Sequence, residues 1–79
     1  MNLAALSPGN KAVICEFGEQ GDSLVHRMME MGLTPGAELE VVHRSPFGGA
    51  VAVRCRGTLI AIRLTDARAV VVKRVDHGA

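Results

Sequence analysis

Tryptophan and tyrosine are absent from these 79 residues and phenylalanine occurs only twice, as Phe17 and Phe47. A core cannot be built on rings, so it must be aliphatic, with the four methionines as adaptable filler. Cysteine is nearly as scarce. Cys15 and Cys55 stand alone, with no Cys-x-x-Cys pair and no histidine at ligand spacing, which excludes the common zinc and redox motifs and suits a reduced, cytoplasmic chain. Long apolar runs are missing too. Stretches such as Leu59–Ile62 and Ala69–Val72 fall far short of the ~18 residues a membrane span needs. The opening Met1–Pro8 has neither a basic patch nor an apolar stretch of the kind an export signal carries. The expected location is therefore the cytoplasm.

Strong net charge is also lacking, at +1, but the balance conceals an asymmetry. Residues 1–40 hold two basic against six acidic side chains, and residues 41–79 hold seven basic against two acidic. Such a split either marks a binding face or pairs off internally when the halves interleave. Leu, Ile, Val and Phe together supply 22 residues, enough to fold one domain and too few to enclose a deep substrate cavity as well. No nucleophile motif surrounds Ser7, Ser23 or Ser45, which sit in turn or cap contexts. The chain is expected not to be an enzyme and to need no cofactor.

What is present is strand alternation punctuated by turns. Val13, Cys15 and Phe17 recur at period two, which makes them the inward residues of a first strand. Gly18 and Gly21 break the chain. Asp22 then opens a helix to about Met31, with Leu24, Met28 and Met31 on one side and Val25 beside them. Gly32 is placed to end that helix in a left-handed conformation, which would bring Leu33 back onto Met28 as core. Thr34-Pro35-Gly36-Ala37 suits a type II turn. A second strand, Glu38–Arg44, points Leu39 and Val41 inward, with His43 continuing that phase to the rim. A third, Ala50–Arg56, points Val51, Val53 and Cys55 inward and Ala52, Arg54 and Arg56 outward; Arg56-Gly57 turns into a fourth, Leu59–Leu64. One helical turn near Thr65–Arg68 precedes a last strand, Ala69–Val75. The expectation is a mostly β fold, a small SH3-like barrel of about five strands with one short helix between the first two. Residues 1–75 form this single domain, and 76–79 a frayed tail.

The string His26-Arg27-Met28-Met29-Glu30-Met31-Gly32-Leu33-Thr34-Pro35-Gly36 resembles the signature of the FeoA family, Arg-Leu-x-x-Met-Gly-Leu-x-Pro-Gly. Arg27, Met31, Gly32, Leu33, Pro35 and Gly36 match it, and Met28 replaces the usual leucine at little change in volume. Ser45-Pro46-Phe47-Gly48 is similar to the family's Ala-Pro-Phe-Gly turn, and Leu59–Leu64 followed by Asp66-Ala67 continues the likeness. At Gly49-Ala50 many members carry an acidic residue and a proline, so any role of that carboxylate does not carry over. The resemblance implies an SH3-like accessory protein of ferrous iron uptake, whose partner is FeoB, the membrane transporter with a cytosolic GTP-binding domain. Recruitment to the inner membrane face would then run through that partner alone. The same domain resembles the carboxy-terminal module of DtxR-type repressors, which implies the alternative of an iron-responsive regulatory module acting on a DNA-binding partner. The start methionine and the absence of an upstream helix-turn-helix favour the accessory protein.

Asp22, His26 and Glu30 share one helical face with metal-binding donors. The outer two lie about 12 Å apart along the axis at 1.5 Å per residue, too far for one ion, so a cap and a solvated face account for them and no metal site is assigned. Base-stacking aromatics are too few for nucleic-acid binding. The residues expected to meet a partner are Phe47, either an anchor or folded back onto the barrel, Arg27 at the edge of the helix's apolar stripe, and Arg54 and Arg56 on a basic sheet face. The oligomeric state is not legible from the residues.

Overall fold

A computed structural model describes residues 1–18, 22–45 and 47–76, with the side chain of Asp22 outside that set. The expectations for Gly21, Pro46, the side chain of Asp22 and residues 77–79 therefore lie outside the described residues. A 3₁₀ turn, Leu3–Ala5, precedes strand β1 (Lys11–Phe17), helix α1 (Asp22–Glu30), strands β2 (Glu38–Arg44), β3 (Ala50–Cys55) and β4 (Thr58–Arg63), a single helical turn α2 (Leu64–Ala67) and strand β5 (Val70–Arg74). The strands form one antiparallel sheet in the order β4-β3-β2-β1-β5. The fold is mostly β and SH3-like, as the alternation predicts.

The expected closure is not complete: β4 and β5 are terminal strands with no ladder between them. Closure is unnecessary at β5 because the chain's own N-terminus covers its outer edge. Asn2 bridges Val71, and the Val72 N–H donates to the Met1 carbonyl at 2.9 Å. Arg44 fastens this segment, donating from Nη1 to the carbonyls of Ala4 (2.6 Å) and Leu6 (2.8 Å). Its guanidinium thus satisfies backbone acceptors and does not join the basic face.

The core is aliphatic, with Leu3, Leu6, Ile14, Met28, Leu33, Leu39, Val41, Val51, Val53 and Val70 its largest fully buried side chains. The helix stop folds as expected. Gly32 has φ 91°, its N–H donates to the Met29 carbonyl, and the Leu33 N–H donates to the Met28 carbonyl, both at 3.0 Å. The Ala37 N–H closes the type II turn onto Thr34 at 2.9 Å, with Gly36 at φ 90°. This turn is stitched to β1: Gly36 N–H reaches the Ile14 carbonyl at 2.7 Å and Ile14 N–H the Ala37 carbonyl at 2.9 Å. The signature segment therefore docks the helix against the sheet.

Two bulges overturn the expected phase. In β1 the register shifts between Ile14 and Glu16, so Ala12 and Ile14 face the core, Phe17 is half-buried and Cys15 is exposed. In β2 it shifts between Val41 and His43, which turns His43 to solvent. β3 is regular and buries Val51, Val53 and Cys55. β3 stops at Cys55, however, and Arg56 is not on its outer face. With φ 52°, followed by Gly57 at 79°, Arg56 is the first residue of a two-residue hairpin turn of the mirror-image type. At the C-terminus Asp76, expected to fray, accepts from Arg74 Nε (2.8 Å) and Nη2 (2.9 Å). That hydrogen-bonded guanidinium holds the carboxyl well below the usual carboxylate range.

Candidate functional site

Helix α1 lays its apolar stripe against the barrel through Met28, leaving Arg27 on the flank. There Arg27 Nη2 lies 3.4 Å from Asp66 Oδ2, and Arg63 Nε lies 3.1 Å from the same oxygen. Arg63 ends β4 and Asp66 sits three residues on in α2, so the turn of helix presents its carboxylate to both arginines. One half-buried carboxylate between two exposed guanidiniums leaves the cluster positive, with unused N–H donors facing outward. As surface ion pairs these fix side-chain directions more than they stabilise the fold. Arg63 and Asp66 at i, i+3 spacing are a legible local pair, but their convergence on Arg27 is tertiary and has no signal in the sequence.

Beside this cluster lies a shallow groove of about 290 Å³, bordered by Arg27, Met28, Met31, Ala61, Ile62, Arg63 and Asp66. Met31, part of the signature, is partly exposed along it, and Leu59 on β4 is 62% exposed. At the β3–β4 turn, Arg56 Nη2 donates to Thr34 Oγ1 at 3.3 Å. Arg54, on the outer face of β3, pairs loosely with Glu40 of β2 at 3.8 Å. Of the pairs between the two halves, Arg54–Glu40 offsets their charge asymmetry, whereas Arg27–Asp66 joins the minority charges of each and leaves it in place.

Phe47 does not fold back onto the barrel. It is 98% exposed at the tip of the β2–β3 connection, whose next residue, Gly48, donates to the Ser45 carbonyl at 3.0 Å with φ 73°. The Ala50–Arg63 pairing puts that tip at the same end of the hairpin as the Arg27–Arg63–Asp66 cluster. Arg54 and Arg56 lie at the opposite end, on the order of 15 Å away along a strand rising ~3.3 Å per residue. The four residues expected to meet a partner therefore frame one hairpin and do not form one patch.

His26 Nε2 lies 3.0 Å from Glu30 Oε1, both exposed, as an i, i+4 pair on the solvent side of α1. Among the described residues no group of three His, Cys, Asp or Glu side chains is arranged to hold a metal ion. Among them, too, no helix is long and apolar enough to cross a membrane.

A family model described as the FeoA domain matches residues 1–74. The fold is similar to the FeoA protein from Chlorobium tepidum, with TM-score 0.89 and 30% identity over 99% of this chain and 75% of that one. It is similar as well to the zinc-complexed FeoA of Stenotrophomonas maltophilia, a prokaryotic SH3 domain protein considered as a ferrous iron transport activating factor. There the TM-score is 0.79 and the identity 30%, covering 92% and 89% of the two chains. A manganese-dependent transcriptional repressor matches with TM-score 0.89 at 18% identity over 95% of this chain and 36% of that one, a likeness of fold alone. No curated protein matches the chain in sequence.

Proposed function

This chain is a member of the FeoA family, a family of ferrous iron transport, and on that premise we propose that it is a non-catalytic accessory protein that binds the cytosolic part of a FeoB-type GTP-dependent iron transporter. The observation that carries the reading is Phe47. An aromatic ring 98% exposed on a short connection of a rigid sheet has no role in the fold, and a fully solvated ring that a partner can bury is the usual form of an interface anchor. Arginines at both ends of the adjoining hairpin supply the electrostatic complement for an acidic partner surface. Modulation follows if one transporter state is bound more tightly than another, since binding shifts an equilibrium only through a difference in affinity.

The test is titration of the protein against the purified GTP-binding domain of the transporter. Phe47→Ala is expected to weaken binding by about 1–3 kcal/mol without unfolding the protein. Arg54→Ala with Arg56→Ala is expected to slow association and flatten its salt dependence. No binding by the wild-type chain, or wild-type affinity in Phe47→Ala, would overturn the reading. Stoichiometric uptake of ferrous iron or zinc, lost in His26→Ala, would turn it towards a metal-responsive regulator instead.

A further inference from the structure

The β3–β4 hairpin has a consequence for its own outer edge. A two-residue turn closes on a hydrogen-bonded pair, here Cys55↔Thr58, and the register then runs unbroken to Ala50↔Arg63. Alternation makes Val53↔Ile60 and Val51↔Ile62 the other bonded pairs. The N–H and C=O groups of Leu59 and Ala61, and the N–H of Arg63, are therefore directed away from β3. β4 is a terminal strand, and among the described residues none of these groups has another hydrogen-bond partner. Beside them runs the groove bordered by Met28, Met31 and Ile62. The two ends of the strand edge are marked by cations: Arg63, sharing one carboxylate with Arg27 beside the groove, at one end, and Arg56 in the turn that opens β4 at the other.

We propose that the bare edge of β4 is a docking edge, which takes an extended segment of a partner protein as a sixth strand. The segment's chemistry follows from what lines the edge. Main-chain pairing needs an extended backbone, the groove accepts an apolar side chain, and the arginines at the two ends of the β4 edge call for carboxylates towards both ends of the segment. A second copy of this chain fits poorly, because two such edges placed side by side would bring Arg27, Arg56 and Arg63 of each against like charges. The inference rests on the reading that the chain binds the transporter's cytosolic domain, and it names the mode of contact.

Ala61→Pro isolates the edge. Its N–H points outward, so proline there removes no bond within the sheet, while its ring and missing donor block an incoming strand. Ala61→Ser keeps the donor and adds least to the groove that Ala61 lines, and serves as the comparison. Binding of the transporter's GTP-binding domain is expected to fall about tenfold or more in Ala61→Pro and by clearly less in Ala61→Ser. Amide hydrogen exchange at Leu59, Ala61 and Arg63 is expected to slow in the wild-type complex. If the complex forms with Ala61→Pro unimpaired and these amides unprotected, the docking edge is wrong while the transporter reading stands. If no complex forms, the transporter reading falls and the peptide acetyl-Glu-Val-Thr-Val-Thr-Val-Glu-amide decides. Protection of the same amides by this peptide, and not by its lysine-flanked analogue, supports the edge; no protection at millimolar peptide overturns it. Protection that grows with protein concentration alone would make the occupant a second copy and overturn the acidic partner.

Discussion

The two terminal strands of the sheet solve the same problem in opposite ways. At β5 the outer edge is covered within the chain around Val71 and Val72, by Asn2 and Met1, with Arg44 holding that segment in place. At β4 they are left open and are ringed by arginines. Unpaired edges invite association with any exposed strand, and charge is one way to limit which strands can approach. The contrast teaches that covering an edge was within reach of this small fold, so the open edge is not forced by size.

Proline substitution sharpens the contrast most. Val72→Pro on β5 removes the donor to the Met1 carbonyl and a buried side chain, and is expected to cost about 3 kcal/mol or more in urea unfolding. The same change at Ala61 on β4 is expected to cost less than about 1 kcal/mol; equal costs would show that the two edges are equivalently built. Next, Arg44→Ala strips two charge-assisted hydrogen bonds from the N-terminal cover, a loss of about 1.5–3 kcal/mol, with faster amide exchange at Val72 as its local sign. Gly32→Val strains a residue at φ 91° with nothing within 4 Å of a new Cβ. It should cost about 1–2 kcal/mol through the backbone alone, more than Gly32→Asn in the same assay. The smallest effect is acid-dependent. Asp76 titrates lower when folded than when unfolded, so its pairing with Arg74 stabilises above the unfolded carboxylate pKa of ~3.9 and is lost as pH falls through the lower folded value. Asp76→Asn should remove this slight slope below pH ~4, its small cost being largest at neutral pH and vanishing in acid.

The parts legible in the sequence are those decided by local chemistry. Gly32 and Gly36 need positive φ, and their neighbours Met28, Leu33 and Pro35 are spaced as a helix stop followed by a type II turn requires, so the signature reads directly as geometry. β3 reads correctly because Ala-Val-Ala-Val-Arg-Cys alternates without interruption. The bulges do not read. Val13-Ile14-Cys15 and Val41-Val42 are apolar in both phases, so one inserted residue moves the inward set without leaving a mark in the pattern, and Cys15 and His43 are misplaced by it. Arg56 is misplaced for a related reason: only the two-residue count of the hairpin, and no side-chain preference, drives an arginine to φ 52°. Among the site residues, the exposure of Phe47 and the meeting of Arg27 with Arg63 and Asp66 are settled by tertiary packing, which composition and spacing leave open.

The solvated ring of Phe47 also makes the molecule convenient to observe. With no tryptophan or tyrosine in the chain, the protein is dark under excitation selective for indole. An indole introduced by Phe47→Trp would be its sole fluorophore of that kind, already in water before and after unfolding. Its emission would be indifferent to whether the sheet is formed and would move only when something covers the tip. Occupancy could then be followed in real time without any label, on a background that denaturation does not disturb.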